Sequence, residues 1–210
     1  MARTTAARLR ALDWTTLEAA LSERGWAKVE GLLDAAECSE TIALWDEPAR
    51  WRSRVEMARH RFGEGEYRYF ADPLPRLVRE LRAHAYRHLA PIANRWMEAL
   101  GEETRFPNAH ADLLERCRDA GQTKPTPLLL RYETGGYNCL HQDLYGSVAF
   151  PLQVAFFLSR PGRDYTGGEF VLVENRPRAQ SRAEAIATGL GDAVIFTTRV
   201  RPARGARGVY

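Results

Sequence analysis

The sequence predicts an α+β protein of one domain: a mostly helical support region over residues 1–125 and an antiparallel β core over residues 126–210. Three observations carry that prediction. Apolar residues recur at helical spacing in several segments before residue 125. Beyond it come short β-rich runs, LLLRYE, YNCLH, VAFPLQVAFFL, GEFVLVE and DAVIF, separated by the turn signals ETGG, RPGRDYTGG and GLGD. A chain of 210 residues with 45% hydrophobic and 27% charged content suits a single core, one that buries roughly 70% of the unfolded surface.

Each element follows from local chemistry. The N-terminal MARTTAARLR is basic with no apolar run behind it, so it reads as a tail leading into the first helix, not as a secretory signal. Asp13 caps a helix through WTTLEAALSERG, which Gly25 stops. WAKVEGLL is a short strand, and a second helix runs from Asp34 through DAAECSETIALWD to end before Pro48. In FGEGEYRYF a Gly-Glu-Gly-Glu turn feeds alternating aromatics, the signature of a strand. A long amphipathic helix extends from about Pro75 to Leu100, with Pro91 as a potential kink, and NAHADLLERCRDAG forms another. After GQTKPTP, short strands at regular spacing specify a sandwich or barrel.

Composition excludes several classes. No apolar run approaches the roughly 18 residues of a membrane-spanning helix. The net charge of +3 is modest, although Lys28 and Lys124 are the only lysines among 30 cationic residues. Arginine suits phosphate and carboxylate forks, which lends slight support to a nucleic-acid partner. Cys38, Cys117 and Cys139 are odd in number and form no CxxC pair, which argues against a disulfide framework and for a reducing, cytoplasmic setting.

The chemistry concentrates in YETGGYNCLHQDLYG, residues 132–146. In a strand, residues two apart share a face, so the His141 imidazole and the Asp143 carboxylate can converge on one point. Two histidines and one carboxylate on one face of an octahedron leave three positions open, the arrangement of non-heme Fe(II) oxygenases. An HxD string arises often by chance, and a plain surface turn is the competing reading. The order of features favours the metal: turn, HxD, buried strand, Gly-Gly hairpin, Gly-Asp turn, apolar strand.

LLLRYETGGYNCLHQDLYG, FPLQVAFFL, PGRDYTGGEF, RPRAQSR and GDAVIF, preceded by FGEGEYRYF and ANRWMEALG, resemble a bacterial family of 2-oxoglutarate–Fe(II) dioxygenases linked to oxidation of damaged nucleic acid, AlkB-like and prolyl-hydroxylase-like in kind. The resemblance runs from about Leu12 to Tyr210. It implies a double-stranded β-helix (jelly-roll) core, with His141 and Asp143 as Fe(II) ligands and 2-oxoglutarate and O₂ as cosubstrates. It also implies a reaction in which 2-oxoglutarate is decarboxylated to succinate while the substrate, as in DNA repair, is hydroxylated or oxidatively demethylated. AlkB-type demethylases carry a tyrosine nine residues before the metal histidine that holds the distal carboxylate of 2-oxoglutarate, and Tyr132 stands at that spacing. Tyr137 is the second candidate for the cosubstrate pocket. Leu130 and Tyr145 depart from the AlkB pattern, which has a cosubstrate-binding asparagine and a base-reading aspartate at those places.

The resemblance also implies a second histidine on a strand after the Gly-Asp turn and an arginine clamp about ten residues on. The histidines are His60, His84, His88, His110 and His141, and none follows the HxD pair. Arg199, Arg201, Arg204 and Arg207 precede the place where that histidine is expected. Cys139 would share the face of His141 in a regular strand, but a thiolate favours zinc or copper. His84 and His88, four apart on a helix, read as solvated or capping residues. The expectation is therefore an oxygenase that lacks its last strands, its third ligand and its clamp, and is impaired alone. Arg59, Arg61, Tyr67, Arg68 and Tyr69 interleave cations with aromatics, either as a stacking and phosphate-binding lid or as a half-buried strand. Alternative functions are oxygenation of a protein side chain or small metabolite, or non-catalytic binding in a jelly-roll pocket.

Overall fold

Capping chemistry sets the starts of the first three helices in the computed structural model, which describes residues 4–176, 178–205 and 208–209. α1 (Thr5–Arg10) begins where the Thr4 hydroxyl accepts from the Ala7 amide, within the stretch expected to be only a basic tail. α2 (Trp14–Arg24) begins at Asp13, whose carboxylate accepts from the Thr16 amide, and stops at Gly25. β1 (Trp26–Val29) follows. α3 (Ala35–Ala43) opens with a reciprocal capping box between Asp34 and Glu37 and leads into a 3₁₀ turn at Leu44–Asp46. β2 (Trp51–Glu56) carries no clear signal in the sequence, whereas β3 (Gly63–Glu64) and β4 (Glu66–Phe70) fall in FGEGEYRYF. α4 (Arg76–Ala99) runs through Pro91, which sits on the exposed face where solvent satisfies the carbonyl that loses its donor. α5 (His110–Asp119) closes the helical half.

The remaining strands are β5 (Leu128–Arg131), β6 (Tyr137–Asn138), β7 (Leu152–Phe156), β8 (Phe170–Glu174), β9 (Arg182–Ile186), β10 (Ala193–Thr197), β11 (Arg204–Gly205) and β12 (Gly208–Val209). They pair antiparallel as β1-β10-β7, β2-β4-β5, β3-β6, β8-β9 and β11-β12. The protein is thus α+β, with helices concentrated before residue 125 as the sequence predicts. Two strands are shorter than expected. YNCLH contributes only Tyr137–Asn138, because its partner β3 is two residues long. VAFPLQVAFFL contributes only Leu152–Phe156, because Pro151 has no amide to donate to the ladder. β9, in alanine-rich sequence of low β propensity, exists because β8 pairs with it along its length. No helix among the described residues is long and apolar enough to cross a membrane.

The sheet β1-β10-β7 is covered on both faces. Ala27, Val29, Leu152, Ala193 and Ile195 join Leu81, Ala85, Leu89, Ile92 and Trp96 of α4 in the main core. On the other face the rings of Phe196 and Phe170 lie 5.3 Å apart and those of Phe170 and Phe157 5.4 Å, which seats the β8–β9 hairpin there. Trp26 Nε1 adds a hydrogen bond of 2.7 Å to Glu184. Gln153, opposite Phe196 in the ladder, points to this second face because its neighbours Leu152 and Val154 pack in the helical core.

α5 meets α4 through Tyr86, whose hydroxyl donates to the Pro107 carbonyl at 2.6 Å and whose phenol is pushed up to about 12, chiefly by burial. The His110 ring lies 5.2 Å from that of Tyr86, and burial, then nearby Arg82, pushes its pKa down to about 4 from 6.5. The unfolded chain takes up this proton near pH 6.5 and the folded chain resists it until about 4, so the unfolded state binds more protons in between. Stability is therefore expected to fall as pH drops through that window. Urea midpoints across it should decline for the parent and flatten in His110→Gln; equal slopes would disprove the assignment.

Candidate metal centre

Pairing of Gly63 with Asn138 and Glu64 with Tyr137, then the Cys139 amide donating to Phe62 O at 2.8 Å, delivers the chain to His141. Residues 139–150 form no strand, so the HxD pair stands on an irregular segment, not on the regular strand expected. Gln122 braces its far end. Its side-chain oxygen accepts from the Val148 amide at 2.8 Å and its nitrogen donates to the Val148 carbonyl at 3.0 Å, in imitation of a sheet ladder.

The two side chains converge nonetheless. His141 Nδ1 lies 2.7 Å from the Cys139 carbonyl oxygen. A carbonyl only accepts, so Nδ1 carries the hydrogen and Nε2 of the neutral ring presents its lone pair. That Nε2 is 3.4 Å from Asp143 Oδ1, while Asp143 Oδ2 accepts from Gln153 Nε2 at 3.1 Å. Two donors bound at right angles to one ion, each about 2.1 Å away, lie about 3 Å apart. The observed spacing is close to that. The side chains are 49% and 35% exposed, so the pair opens to solvent. An imidazole nitrogen with a carboxylate oxygen suits a divalent first-row ion such as Fe(II). Among the described residues no group of three or more His, Cys, Asp or Glu side chains is placed to hold a metal.

Tyr132 follows β5, and its ring lies against Gly65, where any Cβ would come within 2.8 Å of it. Burial pushes its phenol up, a hydrogen bond with the Asn138 side chain partly offsets this, and the hydroxyl stays neutral near pH 7. Tyr137 pairs through its backbone with Glu64 while its side chain stands 55% exposed. Tyr67 and Tyr69 of β4 pack edge to face at 5.6 Å, and Arg52 lies 4.2 Å over the Tyr69 ring. Burial raises both phenols, with smaller contributions from Tyr145 and Asp143. Leu140 and Tyr145 of the HxD segment are largely exposed.

Of the interleaved cations, Arg68 does not share this surface. Arg68 turns to the other face of β4, 4.1 Å over the Trp45 ring, with Nη1 donating to the Trp45 carbonyl at 2.8 Å. Arg59 pairs with Glu56 at 2.6 Å. Arg201 is committed to Glu174 and to the Ser22 carbonyl, which removes it as a clamp. Arg207 and the Arg204 side chain lie outside the described residues. His88 stacks on Trp14 at 4.6 Å, His60 on Phe62 at 5.3 Å, and His110 sits against Tyr86. Cys139 enters through its carbonyl, not as a thiolate ligand. Sequence reasoning missed Gln153 and Gln122: an amide in an apolar strand and another in a turn carry no signal until tertiary partners are known.

The structure thus defines an α+β chain with an open imidazole–carboxylate pair. Residues 65–210 match the family described as "Oxygenase, catalysing oxidative methylation of damaged DNA", and the chain belongs to that family. The match includes the HxD segment, β7 and β10. Two uncharacterized proteins from two strains of Mycobacterium tuberculosis are each 51% identical over 139 residues, 66% of this chain and 60% of their own length. The chain thus aligns with about three fifths of these curated relatives. No solved structure matches it significantly.

Proposed function

We propose that this chain carries the catalytic core of a 2-oxoglutarate- and Fe(II)-dependent dioxygenase of jelly-roll fold that oxidises damaged nucleic acid. The observation that carries this reading is the approach of His141 Nε2 to Asp143 Oδ1 at 3.4 Å, with the ring tautomer set by the Cys139 carbonyl. His141 and Asp143 would hold Fe(II), which with 2-oxoglutarate supplies the O₂ chemistry needed to oxidise an unreactive C–H bond. The remaining work belongs to the protein. Tyr132, neutral and nine residues before His141, is the group offered to a cosubstrate carboxylate, and Tyr137, with its exposed ring, is the second candidate. Tyr67, Tyr69 and exposed Tyr145 present aromatic faces suited to a planar base, which they grip by stacking, a sequence-tolerant contact.

Among the described residues these two donors are not joined by a third His, Cys, Asp or Glu, so weak turnover is expected of the chain by itself. The test measures succinate release with Fe(II), 2-oxoglutarate and an alkylated single-stranded oligonucleotide, in the 210-residue chain and in a form extended past Tyr210. Oligonucleotide-stimulated succinate in the extended form supports the proposal. Stimulation only by a peptide or small metabolite transfers the chemistry to another substrate, and no release in either form refutes it. Tyr145→Ala should weaken oligonucleotide binding roughly tenfold, within the ~1–3 kcal/mol of a stacked base. Tyr145→Phe should not.

A further inference from the structure

We propose that Gln153 is a positioning residue for Asp143: its amide occupies one carboxylate oxygen and so presents the other to a divalent ion beside His141. The inference rests on the metal reading above and extends it to a residue outside the HxD segment. Asp143 is on an irregular segment, and nothing in its own backbone sets the orientation of its carboxylate. Gln153 is on β7, whose register against β10 pairs Gln153 with Phe196 and Val154 with Ile195. Its backbone is therefore held by a sheet packed on both faces, while Asp143 lies outside any strand.

The contact is specific in its chemistry. Gln153 Nε2 donates to Asp143 Oδ2 at 3.1 Å, and Asp143 Oδ1 is the oxygen 3.4 Å from His141 Nε2. The two oxygens are thereby assigned different work. An arginine or lysine in place of Gln153 would neutralise the carboxylate and compete with a bound cation. A neutral amide orients it and leaves its charge available. His141 is treated in the same way from the opposite side, since the Cys139 carbonyl takes up Nδ1 and frees Nε2. Each donor of the pair thus has one atom engaged by the protein and one facing its partner.

Two measurements test this without turnover. In metal-free protein labelled with ¹⁵N-glutamine, the Gln153 side-chain amide protons should be shifted downfield and should move upfield in Asp143→Ala. An unchanged resonance overturns the hydrogen bond and the proposal with it. In the second, Mn(II) is titrated while line broadening of residues 139–145 is followed by NMR. Gln153→Leu and the similarly long Gln153→Met should each need roughly tenfold more Mn(II) for half-broadening, the usual loss when the outer partner of a metal ligand is removed. The Met variant keeps the length of the side chain but has no donor for the carboxylate, so its weakening separates positioning from packing. Broadening at parental Mn(II) concentrations in both variants overturns the proposal while leaving the metal site itself intact. Absence of local broadening in the parent overturns the metal reading instead, and with it the role assigned to Gln153.

Discussion

Asp143→Ala and His141→Ala are each expected to abolish Mn(II)-induced broadening of residues 139–145 at every concentration at which the parent shows it. The two side chains are the donors that the structure brings together, with Nε2 and Oδ1 3.4 Å apart. Removing either leaves a single protein donor on an exposed segment. Loss of a ligand's outer partner alone costs about 10–100-fold in metal affinity, and loss of the ligand itself should exceed that. The pair is not part of the packed core: His141 is exposed, Asp143 is half-buried, and neither is among the core residues of β7 and α4. Far-UV circular dichroism and urea midpoints should accordingly match the parent within about 0.5 kcal/mol, as for surface changes in general. Broadening that persists in either variant would place the metal elsewhere. Asp143→Glu tests geometry further, since the extra methylene carries the carboxylate away from the reach of Gln153 and should weaken binding without eliminating it.

How much of this was legible beforehand follows from the range of the interactions involved. Asp13 as a cap, Gly25 as a stop and the Asp34–Glu37 box are decided within four residues, so the sequence reading and the structure agree on α2 and α3. The HxD pair was equally legible as two side chains that approach each other, although the strand invoked to bring them together is absent. Their approach comes from a two-residue ladder and the Phe62–Cys139 bond, neither of which leaves a periodic trace. In EYRYF the period of two was visible, and the separation of Tyr67 and Tyr69 from Arg68 follows from it. Which face carries Arg68 depends on Trp45, which draws it away from the side of the two tyrosines. Gln153 was hidden for the strongest reason. Inside LQVAF it breaks an apolar run, and only the register of β7 on β10 explains what its amide is for.

That register depends on the turn before β10, and Gly191→Ala is expected to be the most destabilising conservative change in the β core. Gly191 has φ +80°, and a Cβ there would lie 2.0 Å from the Leu33 carbonyl oxygen, a collision with backbone that no rotamer relieves. The left-handed conformation alone costs roughly 1–2 kcal/mol for a residue with a Cβ. Moving the backbone to escape the clash strains the Leu33 amide bond to Gly191 O (2.9 Å) and the Gly191 amide bond to Phe157 O (2.7 Å). It also disturbs buried Asp192, which accepts from the Gly31 amide at 2.9 Å and the Gly189 amide at 2.7 Å. At about 1 kcal/mol per bond the total reaches about 3 kcal/mol or more, a fall in Tm of about 6–12 °C for a chain of this size. Gly162→Ala is the control, because Gly162 has φ +77° and a Cβ there would meet nothing within 4 Å. It should lose only the conformational share. Equal losses in the two variants would show that left-handed strain, not the contact with Leu33, sets the cost. A larger loss in Gly191→Ala, with weaker Mn(II) broadening at Asp143, would tie the turn to the metal pair through β10, β7 and Gln153.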